Sequence, residues 1–311
     1  MRRRDLLLHL VPALGGGALH AQNSPRPSLL TRAIASSGEQ IPVVGLGSWI
    51  TFNVGKDRSA RDQSAEVMRR FFDAGGRLID SSPMYGSSQS VIGEGLQKLQ
   101  TPLRIKAGPA AGPGTLFSAD KVWTSSDGAA QIEQSRQLWQ VPRFDLLQVH
   151  NLLAWEKQLP LLQAMKSEGR LRYVGITTSE GRRHREFEKI MRSQRIDFAQ
   201  LSYNLLDREA EETLLPLARE RGIAVLVNRP FREGALLRQL QRHPLPGWAG
   251  EIDCTSWAQV ALKFIVSHPA VTCAIPATSS VAHVRENMAA ASGRLPDEAL
   301  RQRMAADVGK L

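Results

Sequence analysis

The sequence holds only two cysteines, Cys254 and Cys273. A disulfide framework is thereby excluded, a single bridge is the most these thiols can form, and two buried free thiols is the simpler reading. The chain also lacks a Gly-x-Gly-x-x-Gly turn after its first apolar run, where Gly45-Leu46-Gly47-Ser48-Trp49 reads as a strand end. A Rossmann dinucleotide domain is therefore not indicated. Paired carboxylates and clustered metal ligands are missing from the ends of the apolar runs, which counts against a barrel hydrolase or aldolase. Charge is not lacking, at a formal +10, but it is spread over helix-like segments such as 182–185 instead of alternating with aromatics in one basic patch. We read it as solvated surface and expect no nucleic-acid partner.

The first residues form a separate object. Arg2, Arg3 and Arg4 precede an apolar stretch at 6–14, followed by three glycines and small residues up to Ala21. A basic start, a short apolar centre and small residues in that order make an export signal, and the apolar centre is too short to span a bilayer. The paired arginines resemble a twin-arginine signal, which implies contact with an export machinery that carries folded cargo to the periplasm or outside. An ordinary secretory signal or an uncleaved tether is the competing reading. Residues 22–40, polar with proline and serine, read as a linker, and 41–311 as one folded domain.

That domain has the material for a large core, with 42% hydrophobic residues over 311. Short runs rich in Val, Ile and Leu recur at 43–47, 77–80, 116–122, 144–150, 173–177, 198–202, 224–228 and 272–276. Helix-period segments fall mostly between them, at 64–74, 90–99, 129–140, 156–168, 185–193, 210–220 and 257–267, with a last one at 281–291. Continuous apolar strands alternating with amphipathic helices imply a parallel sheet buried on both faces, and eight such units predict a closed (β/α)8 TIM barrel as a single α/β domain. Chemistry in such a barrel sits at the C-terminal strand ends. The polar residues there are Asp80, Lys121, His150, Thr177, Gln200 and Asn228. Each alone could be a helix cap or a solvated strand end; together they are chemically complementary.

The run Asp80-Ser81-Ser82-Pro83-Met84-Tyr85-Gly86, inside the segment 73–96, resembles the signature of the aldo/keto reductase family, in which a strand ends in Asp and a Tyr follows five residues later. Three further pieces agree in order: 116–123 with Lys121, 145–150 with His150, and Ala274-Ile275-Pro276 followed by Arg285-Glu286-Asn287. The resemblance covers about 43–291. It implies a nicotinamide-dependent oxidoreductase with Tyr85 as general acid, Lys121 tuning it, Asp80 anchoring the lysine and His150 orienting the carbonyl.

The same roles follow from the reaction. Hydride addition to a carbonyl leaves a developing alkoxide, which needs a proton donor and a hydrogen-bonding or cationic partner. A free tyrosine, with a pKa of about 10, is a poor donor unless a nearby cation stabilises its phenolate. Lys121 can supply that cation. Lys106 is a rival for the lysine because it too follows a short apolar run, but it leads into a Gly- and Pro-rich loop, so Lys121 is preferred.

For the cofactor, phosphates in barrels usually rest on the last two strand-to-helix loops, and Pro276-Ala277-Thr278-Ser279-Ser280 offers hydroxyls and backbone N–H groups before a helix. The same cluster also reads as a cap. By resemblance, Thr177, Thr178 and Gln200 hold the nicotinamide carboxamide, Asn228, Arg229, Pro230 and Phe231 lie along the cofactor, and Glu286 and Asn287 bind adenine. Two departures matter. Thr177-Thr178 stands where many members have Ser-Asn, and Ala277 and His283 stand where Lys and Arg often hold a 2′-phosphate, with Arg285 and Arg229 as nearby candidates outside the usual place. NADP(H) is favoured and NAD(H) stays open. Trp49, Met84, Trp123 and Phe231 are candidate pocket walls for an apolar or ring-shaped carbonyl or alcohol substrate. A barrel that binds cofactor but turns over slowly, as a redox sensor, is the alternative function.

Overall fold

A computed structural model describes residues 29–99, 115–179 and 181–311. The export signal at 1–21, the first part of the linker and Lys106 lie outside the described residues. From residue 29 the segment expected as linker is already part of the fold. Strands β1 (Thr31–Ala33) and β2 (Gln40–Pro42) pair antiparallel as a hairpin, with Ile34 and Ile41 fully buried.

Eight parallel strands follow, one in each run expected: β3 (Leu46–Gly47), β4 (Leu78–Asp80), β5 (Phe117–Val122), β6 (Leu146–Val149), β7 (Tyr173–Thr177), β8 (Phe198–Ser202), β9 (Ala224–Asn228) and β10 (Val271–Ala274). They pair in chain order. Bridges from Val44 to Ala274 and from Gly47 to Ala277 bring the last strand back to the first and close the barrel. Gly47 is required at that seam, because a Cβ there would meet the Ile275 carbonyl at 2.6 Å.

Around the strands lie α1 (Arg58–Asp73), α2 (Ser88–Lys98), α3 (Gly128–Trp139), α4 (Trp155–Ser167), α5 (His184–Ser193), α6 (Leu214–Arg221), α7 (Ala235–Leu240), α8 (Trp257–Ser267), α9 (Val281–Ala289) and α10 (Glu298–Val308). Local chemistry starts several of them. Asp57, Asp127, Ser256 and Asp297 each cap a helix by accepting from a backbone N–H three residues on, worth about 1 kcal/mol apiece. In α1 the buried face is Ala65, Val67, Met68, Phe71 and Phe72, the stripe that a 3.6-residue period puts against a sheet. No helix among the described residues is long and apolar enough to cross a membrane.

Two cores result. The larger lies between sheet and helices. The smaller fills the barrel, where Phe117, Tyr173 and Phe198 pack with ring centroids 5.6–6.1 Å apart above the hairpin's Ile34 and Ile41. Along β4 to β9 the inward positions change from apolar to polar toward the C-terminal end. Phe117 gives way to Lys121 and Phe198 to Gln200, and in register Lys121 faces Gln148 and Thr177 faces Gln200. The interior is thus sealed at one end and chemically active at the other.

Candidate active site

Asp80 ends β4, and the chain turns at once into a tight loop before α2. Tyr85 N–H donates to the Ser82 carbonyl (3.0 Å), which fixes that turn. Gly86 follows at φ +60°, where a Cβ would meet Asn53 Oδ1 at 2.2 Å, so glycine fits the position after Tyr85 without strain or a shift of Asn53. Lys121 points inward from β5. Its ammonium donates to Asp80 Oδ2 at 2.6 Å and to the Ser81 carbonyl at 2.8 Å, and it lies 5.0 Å from the centroid of the Tyr85 ring. His150 follows β6 directly. Its ring meets Tyr85 edge-on at 5.6 Å, and its Nδ1 lies 2.7 Å from Ser82 Oγ. Three adjacent strands therefore bring all four expected catalytic side chains to one end of the barrel.

The electrostatics follow from burial. Asp80 and Lys121 are 2% and 1% exposed, so each would be costly alone, and the ion pair between them is what makes the burial tolerable. Burial pulls the Lys121 ammonium down, but Asp80, Tyr85 and Asp120 hold it above the ordinary lysine value. It is a fixed cation at every working pH. Burial pushes the Tyr85 phenol up, Lys121 opposes and Asp80 adds to the rise, so the phenol carries its proton. Burial, aided by Lys121, pushes His150 down to about 2, which leaves a neutral imidazole.

These groups line a cavity of about 540 Å³. Of the expected cofactor residues, Thr177, Gln200, Asn228, Arg229, Pro230, Phe231, Thr278, His283, Glu286 and Asn287 line it; Thr178, Ser279 and Ser280 do not. Thr178 is buried behind the wall, where its N–H donates to the Gln200 carbonyl and its own carbonyl accepts from Asn228 Nδ2 at 3.0 Å. Ser280 is the N-cap of α9, and its N–H donates to Thr278 Oγ1 at 3.0 Å, so part of this cluster shapes the helix start. Trp49 and Met84 line the cavity as expected walls. Trp123 stands beside it, 41% exposed, with its ring 6.5 Å from that of His150.

Reading the sequence missed several lining residues. Asn151 sits at φ 49° directly after His150, and its side-chain oxygen accepts from Ser179 Oγ at 3.4 Å. Ile50, Glu233 and Gly234 also line the cavity. Asn151 alone had a usable signal, a left-handed-tolerant polar residue at a strand end.

Comparison with known proteins agrees with this fold. The family model described as "Aldo/keto reductase family" matches residues 43–307. A protein of Escherichia coli named methylglyoxal reductase YeaE is 27% identical over 268 residues, covering 83% of this chain and 88% of the relative. Another E. coli protein, named NADH-specific methylglyoxal reductase, is 29% identical over 234 residues, covering 66% and 68%. Among solved structures, an aldo/keto reductase from Klebsiella pneumoniae in complex with NADP and acetate superposes with a TM-score of 0.69 at 23% identity, covering 86% of this chain and 93% of that one, a likeness of fold. A match over most of the barrel, on a chain whose strand ends bring together Asp80, Tyr85, Lys121 and His150, shows that this protein belongs to the aldo/keto reductase family of oxidoreductases.

Proposed function

We propose that this protein is an NAD(P)H-dependent oxidoreductase that reduces an aldehyde or ketone, or oxidises the corresponding alcohol, with Tyr85 as the general acid or base. The observation that carries the reading is the buried Asp80–Lys121 pair set 5.0 Å from the Tyr85 ring at the floor of the cavity. The residues present fit a nicotinamide dinucleotide. Asn151, Thr177, Ser179 and Gln200 offer the donors and acceptors that a carboxamide needs, and Thr278, His283 and the start of α9 offer a polar seat for phosphate. Bound there, the cofactor would supply or accept the hydride. Tyr85 gives its proton to the carbonyl oxygen as that oxygen becomes an alkoxide, and Lys121 stabilises the phenolate left behind. Trp49, Ile50 and Met84 on the cavity wall, with Trp123 beside it, favour a carbonyl that carries an apolar group.

Charge bears on the choice of cofactor. The Lys and Arg side chains lining the cavity among the described residues are Lys121, paired with Asp80, and Arg229, paired with Glu233 at 3.3 Å. Against them stand Asp80, Glu233 and Glu286, so an extra phosphate gains no unpaired Lys or Arg from the lining itself, and Arg285, exposed on α9 beside Glu286, is the nearest in sequence. This supports NADH binding at least as tightly as NADPH, whereas the NADP-bound structure of the Klebsiella protein supports the reverse. Fluorescence titration with each cofactor, then a screen of carbonyls with the better one, tests both parts. Failure of both cofactors to bind would sink the reading.

We also propose export through the twin-arginine route, resting on Arg2, Arg3 and Arg4 alone. A cofactor made inside the cell can travel only in a folded barrel, which gives folded transport a reason. Changing the three arginines to lysine should leave active protein in the cytoplasm. Arrival in the periplasm would refute the route.

A further inference from the structure

We propose that Ser82 is a positioning residue that selects the tautomer of His150, so that Nε2 bears the proton and faces the cavity as a donor to the substrate oxygen. The proposal rests on the carbonyl chemistry above for its purpose, but its geometry stands independently. A neutral imidazole has one N–H and one bare nitrogen, and which nitrogen carries the hydrogen is set by the partner of the other. Burial keeps His150 neutral, so this choice decides whether it can donate.

The polar groups within hydrogen-bond distance of Ser82 Oγ, among the described residues, are His150 Nδ1 at 2.7 Å and the Met84 backbone N–H at 3.2 Å. The Met84 N–H can only donate, so it takes one lone pair of the hydroxyl. If His150 Nδ1 also donated, the hydroxyl hydrogen would be left in a fully buried place with no acceptor, a loss of about 1–3 kcal/mol. If Ser82 donates to Nδ1, every group is satisfied. The bond therefore runs from Ser82 Oγ–H to Nδ1, and the hydrogen of the imidazole is on Nε2. No described residue hydrogen-bonds that nitrogen, and His150 lines the cavity.

One residue thus serves two catalytic groups. The Ser82 carbonyl accepts from Tyr85 N–H at 3.0 Å and holds the turn that presents the acid, while its hydroxyl aims His150. With the other tautomer, a bare Nε2 would face the lone pairs of the carbonyl oxygen and repel it.

The test is 15N NMR of histidine-labelled protein together with kinetics, the His150 signals being assigned by their loss in His150→Asn. In the wild type Nε2 should appear protonated and Nδ1 bare. Ser82→Ala should mix the tautomers and lower kcat/KM about tenfold, the scale of one lost hydrogen bond, with the Kd for cofactor unchanged. Ser82→Thr, which keeps the hydroxyl, should restore both the NMR pattern and the rate. A wild-type spectrum with the proton on Nδ1, or an unchanged tautomer in Ser82→Ala, overturns the proposal. If no carbonyl turns over, the functional reading fails while the NMR result still judges Ser82.

Discussion

The two ends of the barrel solve the same problem, charge and polarity buried beside a core, in opposite ways. At the sealed end Glu39 of the hairpin accepts from Arg77 at 3.0 Å, from Arg172 and from the Tyr173 hydroxyl at 2.9 Å, while Arg172 also reaches Asp145 at 2.6 Å. Both carboxylate oxygens of Glu39 are used. At the open end Asp80 spends one oxygen on Lys121, and its other, Oδ1, is buried with no partner, as is Gln148 Oε1. Backbone strain leans the same way, with Gln140 after α3 (φ 57°) and Asp253 before α8 (φ 55°) as the exceptions among the described residues. Ile50, Asn151, Leu152, Ala154, Arg229, Arg232 and Glu233 all have positive φ, and all lie in loops that follow β3, β6 and β9. In the hairpin and in the turns after α1, α4 and α6, positive φ falls on Gly38, Gly75, Gly169 and Gly222, where it costs little. One end is built for stability and the other holds strain and unspent hydrogen-bonding capacity where a ligand can use them.

The comparison can be broken most sharply at the sealed end. Glu39→Ala leaves Arg77 without its carboxylate and Arg172 with Asp145 alone, in a place where both arginines are largely buried. Loss of about 3–5 kcal/mol in stability is expected, by urea denaturation, with kcat unchanged in the protein that stays folded. A fall in kcat equal to that of an active-site variant would show that the two ends are not separate.

At the open end the reverse is expected. Tyr85→Phe should lower carbonyl reduction at least about a hundredfold, the scale of a general acid, while cofactor affinity measured by fluorescence and the melting temperature change little. Lys121→Met should remove most activity and also destabilise, because Asp80 would be left buried without its cation. Wild-type turnover in Tyr85→Phe would refute the role of the phenol.

Between the ends lies Asp120, directly behind Lys121 on the outer face of β5. Its oxygens accept from Lys121 N–H at 2.8 Å and Gln89 Nε2 at 2.7 Å, yet burial outweighs them and raises its pKa to about 7. Because the folded value lies above the ordinary 3.8, stability from this group is full below about pH 4 and is lost as pH rises through about 7. Asp120→Asn, with the Gln89 amide turned to match, should flatten the stability profile between those limits, at about 1.4 kcal/mol per pKa unit removed. An unchanged profile in the variant would assign the slope to other groups.

What was legible in the chain follows the same division. The eight strands are legible because parallel strands buried on both faces are continuous apolar runs, and the four candidate catalytic residues because three of them sit at the ends of those runs and Tyr85 follows five residues after one. Three-residue strands such as Thr31–Ala33 are too short to show a period, so the first arm of the hairpin reads as linker. Helix α10 was missed because its inward face includes Arg301, whose guanidinium binds the Tyr203 hydroxyl at 2.6 Å, and α7 because six residues give no period. The roles of Ser82, Asn151 and Ser179 depend on contacts between loops of different strands. Such contacts have no spacing in the sequence.

The smallest expected effect tests whether the strain at the open end is kept for function. Ile50 is β-branched, 61% exposed and held at φ 63°, a combination that costs energy without burying its side chain. It nevertheless lines the cavity beside Trp49. Asparagine tolerates this backbone region and adds none of the chain entropy that glycine would. Ile50→Asn should therefore stabilise the fold by about 1 kcal/mol, a rise in Tm of roughly 2 °C for a chain of this size. The same change should raise KM for carbonyls with apolar substituents severalfold and leave cofactor affinity alone. If stability rises and KM does not, the strain at Ile50 has no part in substrate binding, and the contrast between the two ends reduces to the catalytic charges.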